Sequence, residues 1–485
     1  MSLTRKVAYN TIVQIIGKVA TTLISLILVA ALARYLGVAG FGQYTTIFAY
    51  SQFFAVLADF GFFWFLVREI AKDEKQTEKI ANNVLTFRSI IALLIFSLSF
   101  LIALFIPQYH QIRWGIGIIA AASFWQVLNG TYVGIFQNKL RMDKAAITDV
   151  LGRLVILGLV LYLVSRSATL EVILWAYLLG NIINFFSSAF LGRIYLHFRP
   201  AFDFDLWRKI FWQALPISVV TILSMIYFKI DTIMLSLLKT PTDVGIYGPA
   251  YKVLEILLIF PAIFMGNVFP ILTRYLHQGD KRLESAFQKA FDFLILSALP
   301  VVVAVIFLSP RIIQIVAGQD FLSAQTIGPV WGMAATSSLV LQILIVAAGI
   351  SFLSHLFGYT VIAVGKQTKL IGTNLLLVIF NVILNLILIP KFSYIGAALV
   401  TVLTEMLVVF LYFKVMRRYL ALKIHFDILW KVMISSIILG LALKFLGFMS
   451  LWLLVPIGVM VYLSSLWLVR GISKEAILPI IKITK

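Results

Sequence analysis

Three lysines stand within long apolar stretches of the sequence: Lys18, Lys229 and Lys252. If such a stretch crosses a bilayer, a lysine at its centre costs about 2.5–3.5 kcal/mol, so the side chain usually faces water, a ligand or an opposite charge. Lysine binds phosphate as a compact point charge. The three lysines are therefore candidates for binding an anionic group. Lys252 has Glu255 three residues further on, so an ordinary ion pair is an equal alternative there.

Polar residues form stripes on the predicted first, second and seventh helices, and the eighth helix, which carries Lys252 and Glu255, belongs to the same predicted cleft. At about 100° per residue, the polar positions of the first, second and seventh helices each fall on one face. We expect these faces to line a water-filled cleft between two lobes and to bind substrate. Separate polar seams between neighbouring helices are the alternative. The predicted lining residues are Asn10, Gln14, Gln52 and Thr221, together with the three lysines.

Four acidic residues within predicted helices are candidates for ion coupling or for a structural charge: Asp59, Asp231, Glu255 and Glu405. Asp59 could bind a proton or a cation, or could anchor the region around Arg68. Asp231 is two residues from Lys229, so on a helix it points away from that lysine and could pair with another helix. Glu405 lies in the middle of a span and is a candidate for coupling to H+ or Na+.

The sequence offers no pattern for catalysis, metal binding or a nucleotide. The five histidines are scattered without the spacing of metal ligands. Gly358 and Gly365 imitate a phosphate-binding loop, but six residues separate them instead of four, and Gln367 replaces the required Ser or Thr. We therefore expect no cofactor, no metal and no ATPase module, and a protein that is not an enzyme.

The composition is that of a membrane protein with many spans. Of the 485 residues, 61% are apolar and 12% are charged, and the mean hydropathy is +1.02. Apolar runs of about 20 residues, enough to cross a bilayer as a helix, recur along the whole chain. The net charge of +20 would suit nucleic acid in a soluble protein. Here it is explained by basic residues in cytoplasmic loops, so we expect no nucleic-acid partner.

The basic residues also predict the topology. We predict about 14 transmembrane helices, and with the N-terminus inside the cell 30 Lys and Arg fall in or beside the inner segments against seven in outer loops. This bias places both termini in the cytoplasm, with Lys482 and Lys485 in the C-terminal tail. We expect a multi-pass protein of the cytoplasmic (plasma) membrane.

The chain carries a weak internal repeat. A shift of 203 residues places Gly42 on Gly245 and Lys18 on Thr221. A repeat unit of six spans predicts two parallel lobes related by a pseudo-two-fold axis along the membrane normal. The predicted domains are residues 1–199 (spans 1–6), 200–422 (spans 7–12) and 423–485 (spans 13–14 and the tail). The segment 310–339 is longer than its counterpart in the first unit, and we interpret it as an interfacial or re-entrant piece on the outer face.

The stretch from Leu32 to Lys72 contains four short motifs: Arg34–Gly37, Gly40–Gly42, Asp59–Gly61 and Arg68-Glu69. Their spacing strongly resembles the first helical hairpin of Wzx-type oligosaccharide flippases. These belong to the multidrug/oligosaccharidyl-lipid/polysaccharide exporter superfamily, with multidrug-and-toxin extruders and lipid II flippases. The resemblance covers nearly the whole chain. It implies an all-α membrane fold like that of the multidrug-and-toxin extruders.

The resemblance also implies a function. Similar proteins carry a polyprenyl-pyrophosphate oligosaccharide from the inner to the outer leaflet for surface polysaccharide biosynthesis. We expect such a lipid-linked oligosaccharide as the partner in the membrane, alternating access as the mechanism, and a monomer near other polysaccharide-assembly proteins. A cation-coupled multidrug exporter is the alternative, although three intramembrane lysines argue against it. A membrane glycosyltransferase or polymerase needs catalytic carboxylates or a long outer loop, and the sequence offers little of either.

Overall fold

The computed structural model describes residues 3–471, with side-chain exposure described from Tyr9 onward except at Ile217. The predicted C-terminal tail after Gly471 lies outside the described residues. The described chain is all-α, as predicted. Its helices are α1 (Leu3–Asp59), α2 (Phe62–Lys72), α3 (Thr77–Phe105), α4 (Arg113–Asn138), α5 (Met142–Ser165), α6 (Leu170–Gly192), α7 (Phe204–Leu238), α8 (Pro241–Leu257), α9 (Ile259–His277), α10 (Arg282–Val316), α11 (Asp320–Ser323), α12 (Ser337–Ala363), α13 (Gln367–Tyr419), α14 (Asp427–Phe445) and α15 (Leu451–Leu468).

Twelve helical segments within the described residues are long and apolar enough to cross a membrane. Two of them, Tyr9–Lys72 with 64 residues and Gln367–Tyr419 with 53, are far longer than one crossing needs. Each contains a residue with non-helical backbone, Gly37 (φ 66°) in α1 and Ser393 (φ 49°) in α13. If each of these two segments crosses the membrane twice, with the break between the crossings, the number of transmembrane helices is fourteen. That number stays a prediction. The chain is a multi-pass membrane protein.

The first compact unit comprises residues 1–245 and therefore includes α7. Buried apolar side chains from α1, α3, α4, α5 and α6, such as Leu32, Ile116 and Val160, form one core. A second core joins α2, α3 and α4 to the start of α7 through Phe65, Val84 and Ile210. The predicted boundary between the two lobes of the repeat lies near residue 200, not at residue 245, and these lobes stay a prediction.

The connection between α6 and α7 is held against the start of α3. The Asn82 side chain donates to the His197 carbonyl (3.2 Å) and accepts from the Arg199 backbone N–H (3.0 Å). Asn83 Oδ1 accepts from the Asp203 backbone N–H at 2.9 Å, and Thr86 Oγ1 accepts from the Ala201 backbone N–H at 3.1 Å. Three polar side chains on one helix therefore satisfy backbone groups of a segment that has no regular structure of its own.

Asp203 caps the start of α7. Its carboxylate accepts from the Leu206 backbone N–H at 3.0 Å and pairs with Lys79 Nζ at 3.0 Å. The hydrogen bond from the Leu206 amide, supported by Lys79, lowers the pKa of Asp203. An acidic N-cap satisfies one of the unpaired amides of the first helical turn, which fixes where α7 begins.

The second unit comprises residues 246–485, of which the structure describes those up to Gly471. Its core gathers α9, α10, α12 and α14, with Phe287, Leu356 and Leu439 buried. In the segment 310–339, α10 continues to Val316, the short α11 follows, and a tight turn joins Val330 to Met333. The Tyr394 hydroxyl donates to the Ala335 carbonyl, so this segment is tied to the break in α13. Its position in the membrane stays a prediction.

Candidate substrate-binding residues in the membrane-spanning helices

The polar stripe of α1 divides into two parts. Gln14 and Lys18 are exposed, whereas Asn10 is buried and accepts a hydrogen bond from the Met142 backbone N–H (2.8 Å) at the start of α5. Ser25, on the same stripe, accepts from Arg153 of α5 at 2.9 Å. Part of the stripe therefore forms a polar seam with α5, which is the alternative that the sequence left open. Gln14 and Lys18 are exposed and stay candidates for substrate binding.

The polar stripe of α7 is divided in the same way. Ser218 donates to the Phe60 carbonyl at 2.6 Å, and Ser236 lies 2.9 Å from the Tyr109 hydroxyl. These contacts hold α7 along the first unit. Thr221 is exposed and Lys229 is half-buried between them, while Asp231 is buried.

Asp59 pairs with Arg88, a residue that the sequence analysis did not single out. Arg88 also donates to Thr131 Oγ1 at 3.1 Å, and its side chain is only 2% exposed against 30% for Asp59. The guanidinium packs closely against Gly130, where a Cβ would lie 2.7 Å from Arg88 Nη2. The partner of Asp59 is thus Arg88 and not the region of Arg68, which donates to Gln213. The charge pair lies directly before the break at Phe60 and Gly61, both of which have positive φ.

The second helix of the predicted cleft also carries Gln52, which is exposed. It shares the stripe of Asp59, so the exposed edge of the Asp59 carboxylate and the Gln52 amide lie on the same side of α1. An amide there can donate and accept hydrogen bonds, which suits a ligand rich in hydroxyl groups.

Lys252 and Glu255 form an ion pair, Nζ to Oε2, at 2.9 Å. Both side chains are partly exposed, so the pair contributes little to stability by itself. Glu405 is buried at 5% exposure, and Oε2 accepts from the Ser354 hydroxyl at 3.3 Å. Among the candidate residues, Lys252 and Glu255 are therefore in direct contact with each other. Within residues 3–471, no three His, Asp or Glu lie close enough together to hold a metal ion.

Comparison with protein families shows two overlapping matches. Residues 7–276 match the family described as polysaccharide biosynthesis protein, which is more than half of the chain. The chain belongs to this polysaccharide biosynthesis protein family. Residues 216–387 also match the MatE family.

Individual relatives of this polysaccharide biosynthesis protein agree with that assignment. It is 22% identical over 464 residues to the probable low-salt glycan biosynthesis flippase Agl15 of Haloferax volcanii, covering 93% of both chains. Its fold resembles that of the lipid II flippase MurJ in an inward closed conformation, with a TM-score of 0.74, 17% identity and coverage of 93% of this chain and 98% of the other. An inward-facing multidrug resistance transporter of the MATE family matches with a TM-score of 0.63 and 15% identity, over 82% of this chain and 95% of that one.

Three charged residues within membrane-spanning helices of this polysaccharide biosynthesis protein were not among the predicted site residues: Arg88, Asp149 and Arg153. Both arginines were counted among the 30 basic residues of the cytoplasmic side, but they lie 11 residues into α3 and α5. If these two arginines are left out, basic residues in the predicted cytoplasmic segments still outnumber those in the outer loops, so the predicted orientation is unchanged. The signal that could have found the α5 pair is the spacing of Asp149 and Arg153, an acid and a base four residues apart on one helical face.

Proposed function

We propose that this protein is a flippase that moves a polyprenyl-pyrophosphate oligosaccharide across the cytoplasmic membrane, for surface polysaccharide biosynthesis. The observation that carries the proposal is the family match over residues 7–276. The relatives support the substrate class, because one is named as a flippase of glycan biosynthesis and the fold is shared with a lipid II flippase. Transport, not catalysis, is the activity of such proteins.

The exposed intramembrane polar groups suit this substrate physically. A lipid-linked oligosaccharide has a large head rich in hydroxyl groups and two phosphates. In the proposal, Gln14, Gln52 and Thr221 offer hydrogen bonds to the sugar, and Lys18 and Lys229 offer charge to the phosphates. The lipid tail stays in the bilayer, so only the head needs a polar path. Alternating access then exposes these groups to one side of the membrane at a time.

The energy source in this proposal is an ion gradient or consumption of the product outside the cell. Glu405, a buried carboxyl group in a span that accepts a hydrogen bond from Ser354, is the candidate for H+ or Na+ coupling. Asp59 already has a partner in Arg88 and is better explained as a structural charge. Glu255 is similarly engaged with Lys252.

The test is complementation of a bacterial strain that lacks its own oligosaccharide flippase, with surface polysaccharide as the readout. Lys18→Gln combined with Lys229→Gln should abolish export, while Lys→Arg at either position should retain part of it. Lys252→Gln is the matched control, because its charge is already used by Glu255. Protein levels in the membrane separate loss of folding from loss of transport. Normal export by the double Lys→Gln variant would falsify the role of the lysines.

A multidrug exporter is the second candidate, favoured by the MatE match over residues 216–387. The same strain distinguishes the two functions if drug susceptibility is measured beside polysaccharide export. A flippase restores polysaccharide and leaves the inhibitory drug concentrations unchanged, whereas an exporter does the reverse.

A further inference from the structure

The helix α5 carries two charges in the middle of a span. Met142–Ser165 is a candidate transmembrane helix of 24 residues, and Arg153 lies 11 residues from its start, or about 16 Å at 1.5 Å per residue. Asp149 lies one turn earlier. Arginine does not lose its proton in proteins, so Arg153 is a permanent cation at mid-membrane depth. Such a charge faces a partner, a ligand or water rather than lipid.

The described contacts occupy only part of the Arg153 guanidinium. Nε lies 3.3 Å from Asp149 Oδ1, and Nη1 donates to Ser25 Oγ at 2.9 Å. Among the described residues, Nη2 has no hydrogen-bond partner within bonding distance. The side chains of Arg153 and Asp149 are 36% and 44% exposed. The long, single contact with Asp149 therefore leaves several N–H donors of the guanidinium open.

Arg88, the other intramembrane arginine of the first unit, provides the contrast. It is 2% exposed, is paired with Asp59, and packs against Gly130. A buried and paired arginine is a structural element that cannot receive a ligand without rearrangement. Arg153 has the same chemistry in the same unit but is accessible, which is the arrangement that binding requires.

The direction of Arg153 is toward α1 and away from lipid. Large exposed apolar side chains of α5, including Ile147, Leu151 and Leu161, mark its lipid-facing side. At about 100° per residue, Arg153 lies at the boundary between the buried face of α5 and its lipid-facing side. Its bond to Ser25 fixes the guanidinium beside the polar stripe of α1. Lys18, which is exposed, lies seven residues before Ser25 on the same face, or about 10 Å along the axis.

We infer that Arg153, positioned by Asp149 and Ser25, binds the phosphate groups of the lipid-linked substrate. This inference rests on the proposed function and names a residue of its substrate site. A planar guanidinium offers two parallel N–H donors to phosphate oxygens, a geometry that lysine cannot supply. Asp149 orients Arg153 and competes with the phosphate for it. The group that Arg153 would bind is a lipid phosphate, and the proposed ligand is the diphosphate of the carrier lipid.

Binding to the purified full-length protein in phosphatidylcholine nanodiscs tests the assignment, with farnesyl diphosphate as the probe. Arg153→Gln should weaken binding about tenfold or more, the usual contribution of a hydrogen-bonded charge. Arg153→Lys should retain part of the affinity, and Asp149→Asn should retain or increase it because the competing carboxylate is gone. Arg166→Gln, an exposed arginine just after α5, is the matched control and should bind like the wild type.

Each result has a definite meaning. Equal binding by Arg153→Gln and Arg166→Gln overturns the inference, as does displacement of farnesyl diphosphate by phosphatidylglycerol at similar concentration, because the source would then be an ordinary phospholipid. Arg153→Lys and Asp149→Asn keep the test valid if Arg153→Gln does not fold. If the wild type binds the probe through Arg153 but does not restore polysaccharide export, the proposed function fails and the site stands. If Arg153→Gln exports as well as Arg166→Gln, the site fails and the function stands.

Discussion

Gly42 of α1 lies directly against the backbone carbonyl of Pro241, where α8 begins. A methyl group on Gly42 would overlap that carbonyl oxygen and lie 2.8 Å from the backbone nitrogen of Gly245. Gly245 in turn lies against the carbonyl of Val38. The contacts are reciprocal, because the shift of 203 residues that relates the two glycines also relates Val38 to Pro241. Backbone atoms cannot rotate away, so the close approach of α1 at Gly42 to the start of α8 requires both glycines.

Alanine at either glycine should therefore destabilise the first unit. We expect Gly42→Ala and Gly245→Ala to cost about 1–3 kcal/mol, the range of overpacked sites, and to lower the melting temperature in detergent. Gly158→Ala in α5 is the control, because its new methyl group would meet open space and alanine favours helix. If Gly42→Ala has the same melting temperature as the control Gly158→Ala, the glycine contact does not restrict the packing of these helices.

The Asp59–Arg88 pair should be essential for folding and not for recognition. Arg88→Gln leaves the Asp59 carboxylate without its cation, a change that costs about 3–5 kcal/mol for buried pairs. The partial exposure of Asp59 favours the lower end of that range. Replacing both residues by Met and Leu should recover much of the loss, because an apolar pair needs no compensation. Thermal stability of purified protein measures this, and a stable Arg88→Gln protein would contradict it.

Cysteine labelling tests the topology, because the chain has no cysteine to remove. Thr240→Cys, at an exposed position between α7 and α8, should react with an impermeant thiol reagent in intact cells. Lys75→Cys, exposed between α2 and α3, should react only after permeabilisation. Ser393 is unsuitable as an outer position because it is buried at the break in α13. Labelling of position 75 from outside would reverse the predicted orientation.

The N-cap of α7 should weaken in acid. The pKa of Asp203 is lowered in the folded protein by the Leu206 amide and by Lys79, so its contribution to stability is present above the usual value of 3.8 and is lost as pH falls through the lower folded value. At pH 7, Asp203→Asn should have a lower melting temperature than the wild type. Near pH 3, the melting temperatures of the two proteins should lie closer together. Asp205→Asn, at an exposed neighbouring acid, is the control and should differ little from the wild type at either pH.

The helices could be predicted closely because their signals are local. The starts of α4, α6, α14 and α15 at residues 113, 170, 427 and 451 follow directly from apolar runs bounded by polar residues. The distribution of basic residues located the loops, but it assigned Arg88 and Arg153 to cytoplasmic segments. A basic residue near a predicted helix end cannot be distinguished from a loop residue in this way. Whether a polar stripe faces a ligand or a neighbouring helix depends on packing, so the pairing of Asn10 and Ser25 with α5 needed the structure.

The clamp that Asn82, Asn83 and Thr86 place on the α6–α7 connection bears on how the protein is made. Its donors and acceptors lie before α7 or, in the case of Trp207, near the start of α7, and α7 itself packs within residues 1–245. A nascent chain folds from its N-terminus as it leaves the ribosome. The first seven helices can therefore complete their polar contacts in the membrane while the second half is still being translated. The later helices are then inserted after the N-terminal half is complete, which lowers the chance that a charged helix such as α5 stays unpaired in lipid during biogenesis.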